Sequence, residues 1–503
     1  MGLAADELPW SAPVSGSQGG HKPYLDLARS GYSLRAKALL KPGEPRCICL
    51  PGVADFRARM EINMKPTLAF AFFVLMSICL GFGQEQPDAA LLAEVMKIKA
   101  VDNHTHVPRI DLAGENDEEY DALPCGTYVE PTADNVMTRQ DNPEYVAAWK
   151  ALWHYRWDDR KPEHVKEAVA AKEAMKQRQG DKYPEWVLDQ LGIEIMFANR
   201  VAMGRGLTPP RFRWVPYDDA LMYPLDNSGM AENPDRKFFF SREEMLLQRY
   251  LTDLNLSTVP ATLDEYLKQV VTPTLERQKA GGAVAVKFEA AYLRSLDFAP
   301  ATEAEARAVY SEYFRGNPPE SVRYKLLQDF LFHYIAVEAG RLGIIVHIHT
   351  GAGCGGYFKL SGANPVLLDF VINDPTLRKT RFVLVHGGPP YTHVTAFLLS
   401  KPNVYADFSE QTWLYGVRAL ATNIRDWLEW YPEKVLFGTD LYPNTAAPGI
   451  GWEEIGWQAT DISRRALTLA LTGMMRDGEI TRERALELAR MALHDNAVKL
   501  YGF

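Results

Sequence analysis

The chain has 503 residues, a formal net charge of −9, 47% hydrophobic and 24% charged residues, and five cysteines. Those values exclude a disordered chain, a collagen-like or disulfide-scaffold chain, and a polytopic membrane protein. The mild acidic balance, with no long Lys/Arg run, gives no reason to expect nucleic-acid binding.

Residues 1–59 are polar, punctuated by Gly, Pro and Ser, and lack a sustained amphipathic period. They read as an upstream extension foreign to the native precursor, with Met60 or Met64 as the true start. Residues 60–83 read as a signal peptide. Met64-Lys65 precedes an apolar run of 13 residues, Leu68–Leu80, and small residues then lead to a cleavage site after Gly83. The run is shorter than the roughly 20 residues of a membrane-spanning helix; a buried core helix and an uncleaved anchor are the alternatives. A periplasmic or secreted protein with no stable membrane anchor follows. The working chain, 84–503, then carries only Cys125 and Cys354, which could pair in an oxidising compartment.

Beyond residue 100, short apolar runs alternate with longer amphipathic stretches. The candidate strands are Val101–His106, Glu194–Val201, Arg213–Met222, Ala283–Ala290, Ile344–Thr350, Arg381–Gly387, Val404–Ser409 and Val435–Asp440. Pro216 interrupts the third. Helical segments are expected at Tyr324–Leu342, Pro365–Asn373, Thr392–Leu399 and Val417–Trp430. A closing helix over Thr481–Gly502 would be capped by Thr481. This alternation predicts an α/β fold of parallel strands and crossover helices, a (β/α)8 TIM barrel rather than an open doubly wound sheet. A bare barrel needs about 250 residues, so 107–192 and 223–282 read as large helical insertions after strands one and three. They would form lid or pocket elements of a single barrel domain.

The chemistry-bearing residues gather at strand ends. Strand one ends in His104-Thr-His106, and residues two apart on a strand share a face. Strand five carries His347 and His349, strand six ends at His386, and strand eight ends at Asp440. Barrel enzymes collect catalytic side chains at this end of their strands. Three histidines and an aspartate suit a divalent metal, zinc foremost, with a coordination position left for water. The alternative is a set of unrelated buried polar residues.

The His104-Thr-His106 pair, His349-Thr-Gly, Val-His386-Gly-Gly, Phe-Gly-Thr-Asp440 and the ending Asp495-Asn-Ala-Val-Lys-Leu-Tyr-Gly502 resemble the amidohydrolase superfamily, most closely its amidohydrolase-2 branch. The segment from Lys287 to Tyr292 is similar to the strand-four region of nodulin-like amidohydrolases. The resemblance spans about residues 95–503. It implies that His104, His106, a strand-five histidine and Asp440 bind the metal. His349, nearer the loop, is favoured over His347. His386 would be a catalytic acid/base and oxyanion stabiliser, or a ligand to a second metal. Lys287 would bridge two metals as a carboxylated lysine, contact substrate, or serve structure. One or two ions are therefore expected.

The expected activity is that of a metal-dependent hydrolase. It would activate water to cleave an amide, or a lactone, of a small carboxylated substrate, with Asp440 taking the water's proton. The resemblance leaves open a metal-dependent decarboxylase or a uronate-type isomerase on the same barrel. A third reading is a catalytically inactive, metal-stabilised binding protein. Arg109 and Arg294 are candidate carboxylate clamps, and Tyr292 and His347 are further candidate pocket residues. Cys354, in the Gly-rich loop Gly351–Gly356, could be a thiolate ligand or nucleophile, or an inert thiol. A homo-oligomer is a further expectation.

Overall fold

The computed structural model describes residues 86–111, 115–124, 133, 135–443 and 447–503. The upstream extension and the signal peptide lie outside the described residues. Eight parallel strands follow one another in sequence order: β1 Ala100–Thr105, β2 Ile193–Asn199, β3 Phe212–Val215, β4 Ala285–Phe288, β5 Ile345–His349, β6 Phe382–Val385, β7 Val404–Asp407 and β8 Val435–Leu436. Regular ladders join β1-β2-β3 and β4 through β8. Backbone hydrogen bonds bridge both remaining seams. Val284 N–H donates to Trp214 C=O (3.1 Å) and Lys287 N–H to Pro216 C=O (2.7 Å). On the other side, Asn103 N–H reaches Phe437 C=O (3.0 Å) and Asp440 N–H reaches His104 C=O (2.8 Å).

The strands form because their alternate side chains fill a barrel interior while the others meet the surrounding helices. Val101, Phe197, Val215, Ala285, Ile345, Val383 and Leu436 make one buried apolar layer. Ala497 and Leu500, from the short helix Asn496–Tyr501, belong to the same layer. On β4 and β5 the same parity continues upward, to Lys287 and Glu289 and to His347 and His349. Lys287 and His347 are register partners. The apolar layer therefore lies beneath a polar one.

Differences from the expected elements have local causes. Strand three stops at Val215 because Pro216 has no N–H for the ladder; the chain turns into a short 3-10 helix, Asp219–Met222. The closing segment is helix Arg482–Arg490, a π turn over Met491–Asp495, and helix Asn496–Tyr501. Thr481 caps it by accepting from Arg484 N–H at 3.3 Å. The first insertion contains helices Glu144–Trp153, Pro162–Gln179 and Tyr183–Leu191. The second contains Pro234–Asp253 and Thr272–Ala280. Helix Val417–Trp430 occupies its expected span. No helix among the described residues is long and apolar enough to cross a membrane.

Candidate metal centre

Three buried ligand atoms converge at the C-terminal end of β1 and the segment after β8. Asp440 Oδ1 lies 3.2 Å from His104 Nε2 and 3.4 Å from His106 Nε2. Tetrahedral zinc with bonds of about 2.0–2.1 Å has ligand–ligand edges of about 3.3–3.4 Å. These two separations match that frame, and all three ligand atoms lie within 4.8 Å of one another. His104 Nε2 and Asp440 Oδ1 also have no hydrogen-bond partner although both are buried. Buried polar atoms without partners are costly, and a bound cation removes that cost.

The outer atoms of both imidazoles suit the same reading. His106 Nδ1 lies 3.1 Å from the Tyr217 hydroxyl and 3.3 Å from Asp121 Oδ2. Such acceptors hold a proton on Nδ1 and leave Nε2 for a metal. His104 Nδ1 meets the side-chain amide of Asn199, whose Oδ1 is unpartnered. A half-turn of that amide presents Oδ1 to an Nδ1 proton, the tautomer that frees Nε2. The residues present therefore fit a divalent metal.

His349 and His386 form an adjoining pair. His349 Nε2 lies 2.8 Å from the Ala352 carbonyl, which can only accept, so Nε2 carries the proton and Nδ1 the lone pair. His386 Nε2 lies 3.1 Å from that Nδ1. His386 Nδ1 meets Ser409 Oγ at 2.9 Å, and Asp407 holds the His386 backbone N–H at 2.9 Å. The His386 ring centre is 5.0 Å from that of His104, which joins pair and triad in one pocket. The β5 and β6 loops can meet because Gly351, at φ +83°, lies against Gly388; a Cβ there would sit 2.4 Å from the Gly388 carbonyl carbon.

His347, one layer down, has its Nε2 2.5 Å from the Tyr501 hydroxyl of the terminal helix. Tyr501 in turn donates to Asn103 Oδ1 at 2.5 Å. Lys287 is fully buried, with Nζ 3.5 Å from Glu289 Oε1. Tyr292 packs its ring 4.8 Å from that of His349.

The two arginines are placed elsewhere. Arg109 is partly exposed and paired with Asp111 (3.2 Å) and Glu115 (3.4 Å). Arg294 is buried with Asp329 (2.5 Å) and Gln328 (3.1 Å), and the cavity it lines contains none of the histidines. Arg109 is paired within its own loop, and Arg294 is paired with the helix Ser321–Leu342. The thiolate and nucleophile readings of Cys354 are corrected, because Cys354 is disulfide-bonded. The chain's other four cysteines lie outside the described residues.

Three acids of the pocket went unread in the sequence. Asp121 comes from the first insertion, where no motif marks it. Glu289 shares parity with Lys287, a signal that was present; its Oε2 is buried and unpartnered. Glu410 follows β7, with Oε2 unpartnered and 3.9 Å from His386 Nδ1. His386, Glu410 and Asp440 have φ of +68°, +58° and +55°, a conformation uncommon for non-glycine residues, and they follow three successive strands. Strain of that kind concentrates at functional sites.

Burial, reinforced by neighbouring positive groups such as Lys287, holds the imidazoles of His104, His349 and His386 well below their ordinary pKa, so all three are neutral. His106 differs. Burial alone would lower it, but Asp121 and Asp440 outweigh burial and carry it to about 9. Burial raises Asp440, opposed by His106. Burial likewise raises Glu289 to about 8, reinforced by Asp121 and opposed by Lys287.

Strand-end histidines and an aspartate are thus gathered on an α/β fold of parallel strands. The amidohydrolase family model matches residues 262–503. Protein fluG of Emericella nidulans is 30% identical over 158 residues, which are 31% of this chain and 17% of that relative's length. A protein from Lactobacillus casei ATCC 334 described as a metal-dependent hydrolase superposes with a TM-score of 0.52 at 15% identity, covering 83% of this chain and 98% of its own. Uronate isomerase from Thermotoga maritima superposes with a TM-score of 0.51 at 15% identity, covering 82% and 96%. At such identities the likeness is one of fold.

Proposed function

We propose that the chain is a metal-dependent hydrolase that activates water to cleave an amide, or a lactone, of a small substrate, with a divalent ion, zinc foremost, held by His104, His106 and Asp440. The observation that carries this reading is the convergence of two imidazole Nε2 atoms on Asp440 Oδ1, with His104 Nε2 and Asp440 Oδ1 unpartnered. A divalent ion in such a site supplies an acidified water and polarises a carbonyl. Asp440, within reach of both histidines, accepts the proton and returns it to the leaving group. His386, whose ring centre lies 5.0 Å from that of His104, borders the same space and would stabilise charge developing on the attacked carbonyl oxygen. His349, oriented by the Ala352 carbonyl, offers Nδ1 as a further candidate ligand atom. Lys287, buried beside Glu289, would meet a substrate carboxylate or bridge a second ion. The signal peptide, taken as native, would send the enzyme to the periplasm or the medium.

The test is chelation followed by metal add-back, assayed on a panel of N-acyl amino acids, lactones, aromatic acids and uronates. Loss of hydrolysis on chelation and its return with zinc is the expected result. Carbon dioxide release or uronate isomerisation without hydrolysis would replace this reading with the decarboxylase or isomerase. Full metal content with no turnover of any compound would replace it with a binding protein.

A further inference from the structure

A second cavity, of about 470 Å³, opens among the loops that follow β3, β4 and β5. Neither the histidines nor Asp440 line it. Four cations do: Arg236, Arg294, Lys325 and Lys359. Arg236 and Lys359 share one oxygen of Glu232, at 3.0 and 2.9 Å. Arg294 and Lys325 share Asp329, at 2.5 and 2.7 Å, and Lys325 also lies 3.5 Å from Asp297. Four cations thus face three carboxylates, and the balance is positive.

Two further features point the same way. Ser321 and Val322 line the cavity and begin the 22-residue helix Ser321–Leu342, whose N-terminus has no side-chain cap. The first-turn N–H groups and the helix dipole there favour an anion. Independently, Gln328 lines the cavity, is fully buried, and leaves its Nε2 donor without a partner. Its Oε1 is fixed by Arg294 at 3.1 Å, so the amide cannot turn without losing that bond. A buried, unused donor in a net-positive cavity calls for a ligand that only accepts.

We infer that this cavity is a binding site, separate from the metal centre, for a small oxyanion, a phosphate or carboxylate group, received by Gln328 Nε2, the helix N-terminus, Lys325 and Lys359. The chemistry is shared by a free ion and by an anionic group on a larger molecule. Arg294 stands two residues from Tyr292, whose ring lies against His349, so an occupant would brace the loop that borders the metal centre.

The test uses the metal-loaded full chain. Crystals soaked in selenate should show a selenium peak within hydrogen-bond reach of Gln328 Nε2. Calorimetry with inorganic phosphate and with acetate should show binding that weakens about tenfold or more in Lys325→Gln/Lys359→Gln. The same binding should persist in Asp440→Asn, which separates this cavity from the metal centre. The tighter of the two probes identifies the group, phosphate or carboxylate. Because both lysines are partly exposed, the double variant should fold, and Gln328→Met with an unchanged melting temperature gives a second arm. Selenium found only elsewhere, or on the lysines alone as an adventitious ion only, overturns the site. So does phosphate and acetate affinity unchanged in both variants.

Discussion

Two buried polar clusters in this molecule look alike in composition and differ in how their atoms are used. One joins the first insertion to the long helix Trp452–Arg476. Lys172 Nζ lies 2.5 Å from Glu454 and 3.3 Å from Glu453, and the Tyr183 hydroxyl donates to Glu453 at 2.6 Å. Trp153 Nε1 and the Gly451 N–H complete Glu454, at 2.5 and 2.8 Å. None of these side chains has an unpartnered buried atom among those identified. The surplus negative charge sits in the first turn of a helix, where the dipole favours it. The other cluster, His104, His106 and Asp440, converges just as tightly but leaves His104 Nε2 and Asp440 Oδ1 without partners. A complete network holds the fold together; an incomplete one awaits something outside the chain.

Substitutions in the two clusters should therefore fail in different ways. Asp440→Asn should cut turnover by about 10²–10⁴-fold, the range of a lost acid/base group, while most of the metal stays bound. Steady-state kinetics paired with elemental analysis checks this, and near-native turnover would remove Asp440 from the chemistry. Lys172→Met should do the reverse. It leaves two buried carboxylates without their cation, at a cost of about 3–5 kcal/mol, with metal stoichiometry unchanged. Denaturant melting would measure it, and a loss below about 1 kcal/mol would place that pair among weak surface bridges.

Asp121→Asn has a smaller expected effect. An outer-sphere partner of a ligating histidine is worth about 10–100-fold in metal affinity. The change should also alter proton release. In the metal-free chain His106 titrates near 9, so at neutral pH metal entry must expel its proton. Calorimetry in buffers of different ionisation enthalpy should show that release in the native chain and less of it in Asp121→Asn. The sign for stability follows from a folded pKa raised from 6.5 to about 9. The stabilisation is complete below about 6.5 and is lost as pH rises through about 9, in the metal-free protein only. A melting temperature of the metal-free chain that rises across that window would contradict the Asp121–His106 pairing.

The barrel was legible because its strands are apolar runs of the right length, separated by amphipathic helices, and because Pro216 marked the one that ends early. The gathering of His104, His106, His349, His386 and Asp440 was legible for a similar reason: in such a fold, strand ends meet. Where side-chain parity decides, β5 was readable, since His347 and His349 share a face and differ only in height. Asp121 was not, because an insertion brings it to His106 across a loop of no fixed period. Glu289 and Glu410 were within reach of the strand-end argument but carried no motif. The pairing of Arg294 was not legible, because Gln328 and Asp329 reach it from a helix more than thirty residues further along the chain.

The most direct test is an anomalous difference map from crystals of the zinc-loaded protein, collected on either side of the zinc edge. The account predicts a peak about 2.0–2.2 Å from His104 Nε2, His106 Nε2 and Asp440 Oδ1 together. A fully zinc-loaded crystal with its peak elsewhere, or none at those three atoms, would contradict it.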